Sequence, residues 1–223
     1  LNFEFGQKAV TYQATSPTST TAMTDLKKLG EQLEKNEIEA LFVIGGNPVY
    51  QSPVDFNLSQ KFLQAKRSYR FSLTEDETSA MCDWQLPLAH EFEAWSDGQA
   101  FDGTLSVHQP LIAPLFQGKN CQEIFSLFSG EQKSSYAVVT DFWKKKLGAQ
   151  YSLQWEKIVQ NGIFAEKKTR AFNLKPKKSI PTFLKETPIT TELEILFRAD
   201  PHIWDGRLAG NSWLQELPKP GTL

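Results

Sequence analysis

Four consecutive apolar residues, Leu41-Phe42-Val43-Ile44, run without polar alternation into Gly45-Gly46-Asn47-Pro48. Such a run predicts a strand buried on both faces, as parallel sheets have, although periodicity alone also fits a short buried helix. Upstream, Leu26, Leu29 and Leu33 fall on one helical face, with Thr24 or Asp25 as cap. Downstream, Leu58, Phe62 and Ala65 repeat the helical stripe, with Asp55 or Asn57 as cap. Residues 69–73 alternate apolar and polar and predict a second strand. A short helix can begin at 77–81, and 82–88 read as a third strand stopped by Pro87. Turns at Asp97-Gly98 and Asp102-Gly103 precede a short extended run at 104–107. Helices are expected over 122–128, around 136–146 and over 155–159, the last ending at Asn161-Gly162. A further strand is expected at 191–198. Residues 1–23 read as a loop or linker, 166–178 as a basic surface connector interrupted by Pro176, and no internal repeat is present.

Helix and strand patterns in alternation predict an α/β fold with a mainly parallel sheet. In open sheets of this kind ligands bind beyond the carboxyl ends of the strands. That makes Gly45, Gly46, Asn47 and Pro48 the leading site candidate. The two glycines permit backbone angles closed to other residues and let a ligand approach the main chain, and Pro48 pushes Asn47 out of the helical region. At the carboxyl end of the second strand lies an acidic cluster with Glu75, Asp76, Glu77 and Thr78. Capping of the following helix explains it well, since negative charge there is favoured by the helix dipole and would repel a phosphate.

Composition narrows the field. The 223 residues suit one large domain, or one domain and a piece of another. Residues 1–130 carry 9 Lys/Arg against 16 Asp/Glu (net −7), and residues 131–223 carry 15 against 10 (net +5). This asymmetry suggests a boundary near Gly130. The basic half lacks an aromatic-basic motif, so a solvated surface explains it better than nucleic acid does. Cys82 and Cys121 are too few for a cysteine-ligated iron–sulfur cluster or a four-cysteine zinc site. No apolar run is long enough to span a bilayer, and no signal peptide is present. The chain reads as part of a longer protein.

Catalytic and metal motifs are equally scarce. His90, His108 and His202 are possible bases, but no serine sits in a G-x-S-x-G elbow and neither cysteine has a nucleophile signature. H-E-x-x-H and C-x-x-C spacings are absent, as are both glycine-rich phosphate fingerprints. The six tryptophans are scattered as core or interface residues would be.

Three separated segments carry a resemblance: GGNPVYQSPVD, then EDETSAMCDWQLPLAHEFEAWSDGQAFDGTLSVHQPLIAPLF, then NSWLQELPKP. In this order they resemble the molybdopterin-oxidoreductase-like region of the large iron–sulfur subunit of alternative complex III, a bacterial quinol:electron-acceptor oxidoreductase. More distantly they are similar to the catalytic molybdenum enzymes of the dimethyl sulfoxide reductase superfamily. The resemblance implies a Rossmann-like three-layer sandwich over residues 1–130. It implies a helical and basic connecting region over 131–190, and the start of a C-terminal cofactor-capping domain over 191–223. In the catalytic superfamily, the segments matching Gly45 to Pro48 and Glu75 to Thr78 lie where one guanine-dinucleotide arm of the molybdenum cofactor is held. There, Gly46 and Asn47 N–H groups would face phosphate and Asp76 would accept from guanine nitrogens.

The resemblance to the alternative complex III subunit implies instead that the fold persists without that cofactor, with iron–sulfur clusters carried by another domain. FDGTLSVHQPLIAPLF here replaces the text that follows the strand in many catalytic members. The expected partners are other subunits of a respiratory membrane complex, without nucleic acid or direct membrane insertion. The expected place is the periplasmic side of the bacterial inner membrane.

Overall fold

The structure is a computed structural model that describes residues 22–100, 102–164, 193, 195, 198, 200–204, 206 and 208–219. It is an α/β protein, and the described residues form two small sheets and two apolar cores. Three strands, β1 (Leu41–Ile44), β2 (Ser68–Ser72) and β3 (Trp84–Pro87), form a parallel sheet in that order. The register sets Phe42 beside Tyr69 and Tyr69 beside Trp84.

The leucine stripe places α1 (Ala22–Glu34) on one face of this sheet, and α3 (Leu58–Phe62) lies beside it. Leu33, Leu41, Leu58 and Phe62 form the first core, with Val43, Val49, Met81 and Cys82 packed around them. Helix α1 begins at Ala22, so Thr24 and Asp25 lie inside its first turn and not in the expected capping position. Asn57 does hold the N-cap position of α3, but in the left-handed region and without a side-chain cap bond. The opposite sheet face carries Phe42, Tyr69 and Trp84; Phe42 stacks on Tyr69 at 4.9 Å.

The second sheet is antiparallel. Strands β4 (Ser96–Gln99), β5 (Leu105–His108) and β6 (Ile163–Phe164) pair in that order. Asp97-Gly98, expected as a turn, lies inside β4 opposite Val107 and Ser106. The chain reverses instead at Asp102-Gly103, where Asp102 Oδ1 accepts from Thr104 N at 2.9 Å.

After α4 (Cys121–Phe128), closed by an Asn120–Glu123 capping box, come α5 (Ser135–Leu147) and α6 (Tyr151–Asn161). Both pack on the second sheet. Their core unites Leu105 and Val107 with Val139, Trp143 and Ile158. Residues on both sides of position 130 therefore share one core, and the charge asymmetry does not mark a break in packing. The expected connector at 166–178 lies outside the described residues, as does all of the 191–198 strand except 193, 195 and 198.

The last described element is α7 (Ser212–Glu216), and shortly before it the chain passes against Tyr50, beyond the end of β1. A Cβ added to Gly206, whose φ is +94°, would lie 2.4 Å from Tyr50 Cε1. The main chain at Gly206 thus rests on the Tyr50 ring just after the Gly-Gly-Asn-Pro turn. Gly206→Ala is expected to destabilise the chain by ~1–3 kcal/mol, seen as a lower thermal midpoint, because both the ring and the left-handed angle oppose a side chain. Adding Tyr50→Ala relieves the clash and restores part of the loss.

Candidate functional site

Where β1 ends, Gly45 and Gly46 turn the chain at φ values of +65° and +59°. Asn47 then leaves the helical region, with φ −137° and ψ 73°, and caps a single turn, α2 (Pro48–Gln51), with Pro48 at its first position. Asn47 Oδ1 accepts from Tyr50 N at 3.4 Å. The turn thus has the local structure its residues predict.

The acidic loop after β2 packs directly against it. Thr78 is fully buried, donates through Oγ1 to Asn47 Oδ1 at 2.7 Å, and accepts from Val49 N at 3.1 Å. Asn47 Nδ2 donates to Glu77 Oε2 at 2.7 Å. All eight candidate residues therefore lie in one joined pair of strand-end loops. The Glu75 side chain is exposed.

Arg70, which the sequence reading did not single out, organises the site from within. It sits in the middle of β2, 1% exposed. Its Nη1 donates to Gly45 O at 2.7 Å and its Nη2 donates to Gly46 O. On its other side Nη2 meets Asp76 Oδ2 at 2.6 Å and Nε meets Oδ1 at 3.3 Å. Ser79 completes the shell, donating to Asp76 Oδ1 through N at 2.8 Å and Oγ at 2.9 Å.

A signal for Arg70 existed. It is a lone cation in an otherwise neutral strand, six residues before Asp76 and on the same sheet face as Ser68 and Ser72, so it has to find an anion or carbonyls at the strand end.

Burial pushes the Asp76 carboxyl up, but the Arg70 and Ser79 hydrogen bonds and the Arg70 charge outweigh it and hold it below its ordinary 3.8. A carboxylate with a folded value below its unfolded one stabilises the protein fully above the unfolded value, and that contribution is lost as pH falls through the folded value. Chemical denaturation across pH 2–6 is therefore expected to show stability falling below about pH 4. Asp76→Asn should flatten that part of the profile.

The arrangement suits holding a turn better than receiving a nucleotide. Both Asp76 oxygens are engaged, which leaves the carboxylate that would read guanine committed to Arg70 and Ser79. Gly45 N donates inward to Phe71 O at 2.9 Å, and Asn47 N meets Gln51 Oε1 at 3.4 Å. Space over the turn is open, however. A Cβ on Gly45 would meet no atom within 4 Å, and one on Gly46 only Gln51 Oε1 at 3.9 Å.

The histidines occupy separate surroundings. His90 is exposed beside Phe92, whereas His108 lies between the hydroxyls of Ser96 and Ser106, each 3.2 Å away. His202 is buried and its Nδ1 has no hydrogen-bond partner. Cys82 is half-buried and Cys121 exposed, both as free thiols. Among the described residues no three His, Cys, Asp or Glu side chains gather in a way that could hold a metal ion. Among them, too, no helix is long and apolar enough to cross a membrane. Compared with protein-family models and with curated proteins, the chain matches none.

Proposed function

We propose that the chain is a non-catalytic α/β scaffold within a respiratory oxidoreductase subunit, similar to the molybdopterin-oxidoreductase-like region of the large iron–sulfur subunit of alternative complex III. In this reading it stands at the periplasmic side of the bacterial inner membrane, in a complex that passes electrons from quinol to an acceptor. It packs against partner subunits, and iron–sulfur clusters in another domain carry the electrons.

The Arg70–Asp76 pair carries the reading. Here a buried guanidinium grips the Gly45 and Gly46 carbonyls from inside, and the acidic loop is spent on neutralising it. Arg70 and Asp76 thus hold the turn from within the chain itself.

The finer fold in this reading is a Rossmann-like three-layer sandwich. Its support is the β1-β2-β3 order with α1 and α3 on one face. Parallel sheets bury both faces, so a second helical layer belongs over Phe42, Tyr69 and Trp84. Phe128 of α4, edge-on to Phe42 at 4.8 Å, marks where that layer begins. The contact of Gly206 with Tyr50 supports reading the last segment as the start of a capping domain.

One observation favours a second reading, a guanine-dinucleotide-binding domain of a catalytic molybdenum enzyme: the open space over Gly45 and Gly46. Metal and pterin analysis of the full-length protein separates the two. The scaffold reading expects iron without stoichiometric molybdenum, tungsten or extractable pterin. Stoichiometric molybdenum or tungsten with pterin overturns it.

A further inference from the structure

Directly after β5, residues 109–118 (QPLIAPLFQG) contain no charged side chain. Leu111, Ile112, Leu115 and Phe116 are 75%, 50%, 70% and 78% exposed, and Phe92 on the adjoining turn is 55% exposed. A contiguous set of bulky apolar side chains on a surface marks an interaction site.

This loop is held in place. Leu111 N and Ile112 N both donate to Phe92 O, at 2.8 and 3.1 Å. Leu115 N donates to Glu93 Oε1 at 3.1 Å, while Glu93 Oε2 accepts from His90 N at 2.8 Å. At the far end the chain passes so close to the residues just after β3 that a Cβ on Gly118 would lie 2.9 Å from Leu88 C and Ala89 N. Just before it, Gln117 takes a φ of +56°, a strained angle for a side chain. The near end is tied by Gln109 Nε2, which donates to Val159 O at 3.0 Å. A loop pinned at its ends and its middle, with its apolar side chains outward, is already ordered for docking.

We propose that this loop is the docking surface for a partner subunit, whose matching surface is an aliphatic groove with Lys or Arg at its rim. The proposal rests on the reading of the chain as a subunit region of a membrane complex. Charge favours a protein over a lipid surface. The ionisable groups bordering the patch are His90, Glu91, Glu93, His108 and, past Gly118, Lys119. Glu93 is turned inward to two backbone N–H groups and Lys119 lies 3.5 Å from the Glu123 carboxylate, which offsets its charge, so the exposed Glu91 sets the charge of the border. Glu91 lines a cleft of about 320 Å³ with Phe92, His108 and Gln109. Loops and helices that settle into a membrane surface carry Lys or Arg at headgroup level, and a carboxylate there opposes anionic lipid. A cationic side chain on a protein partner complements it.

The test is a photo-reactive residue at Phe116 of the full-length protein in native membranes, with the adduct mapped by mass spectrometry. The expected result is one dominant adduct, at an apolar groove of a partner subunit bordered by Lys or Arg. Leu115→Glu should lower its yield at least about tenfold and Glu91→Lys several-fold, while circular dichroism and the thermal midpoint stay unchanged. The same probe at Val54, which is 93% exposed, should give no such adduct. Adducts with lipid or with a second copy of the chain overturn the proposal, as do a yield indifferent to Leu115→Glu and no adduct at all. A groove adduct on a protein from outside any quinol-oxidising complex sustains the docking surface and overturns the respiratory reading.

Discussion

Arg70→Ala is expected to cost the fold about 3–5 kcal/mol, the range for removing one partner of a buried ion pair. The loss has two parts. Asp76, 16% exposed at its side chain, would keep its charge with only Ser79 to satisfy it, and the Gly45 and Gly46 carbonyls would lose their donors at the turn that follows β1. Arg70→Lys is expected to recover little, because one ammonium cannot reproduce a planar fork that faces two carbonyls on one side and a carboxylate on the other. The measurement is urea denaturation of the whole chain above pH 5, where Asp76 is ionised. A double substitution, Arg70→Met with Asp76→Leu, should lose less than Arg70→Ala, since it removes both buried charges together. A loss under about 1 kcal/mol for Arg70→Ala would place this pair with ordinary surface pairs and remove the observation on which the scaffold reading stands.

Local signals made the first sheet legible. The four-residue apolar run does form a strand, but of its residues only Leu41 is buried and Phe42 stays 43% exposed on the face opposite the first core, so the expected burial on both faces is not met among the described residues. Pro48 could only open a helix or block one, and the leucine stripe of α1 had a single apolar side to cover. The helix expected over 77–81 is only a 3-10 turn (Ser79–Met81) whose N-cap position, Thr78, makes no side-chain cap bond, so the capping explanation of the acidic loop holds only in that Asp76 accepts from Ser79 N. What the sequence hid depends on partners distant along the chain. Asp97-Gly98 carries a turn composition, yet strand pairing with Ser106 and Val107 overrides it. Arg70 lies in a short alternating segment, and its importance appears only when Gly45 and Gly46, some 25 residues upstream, arrive beside it. The charge step near Gly130 misleads for a related reason. Net charge describes the solvated surface, whereas the core shared by β5, α5 and α6 is built from the apolar residues between the charges.

That second core turns on Trp143, and Trp143→Ala is expected to cost about 3–5 kcal/mol, as full truncation of a buried aromatic does. The indole is 0% exposed and packs with Trp155 at 6.1 Å, Phe164 at 5.7 Å and Phe142 at 5.8 Å between ring centroids. Its N–H adds nothing to this. Nε1 has no partner that meets hydrogen-bond geometry. The nearby Asp97 carboxyl is pushed up by burial, with the Trp143 N–H and the His108 charge pulling only partly the other way. Trp143→Phe should cost less than half as much as Trp143→Ala because it keeps most of the buried aromatic volume, while losing the N–H that opposes burial at the Asp97 carboxyl. The two clusters have no residue in common, so the damage should be local. Amide hydrogen exchange should show the full loss of protection in α5, α6 and β5 and a smaller loss at Val43 and Tyr69 in the first sheet. Equal losses in both regions would mean that the two cores open as one cooperative unit, and the first sheet could then not hold its strand-end turn independently of the second core.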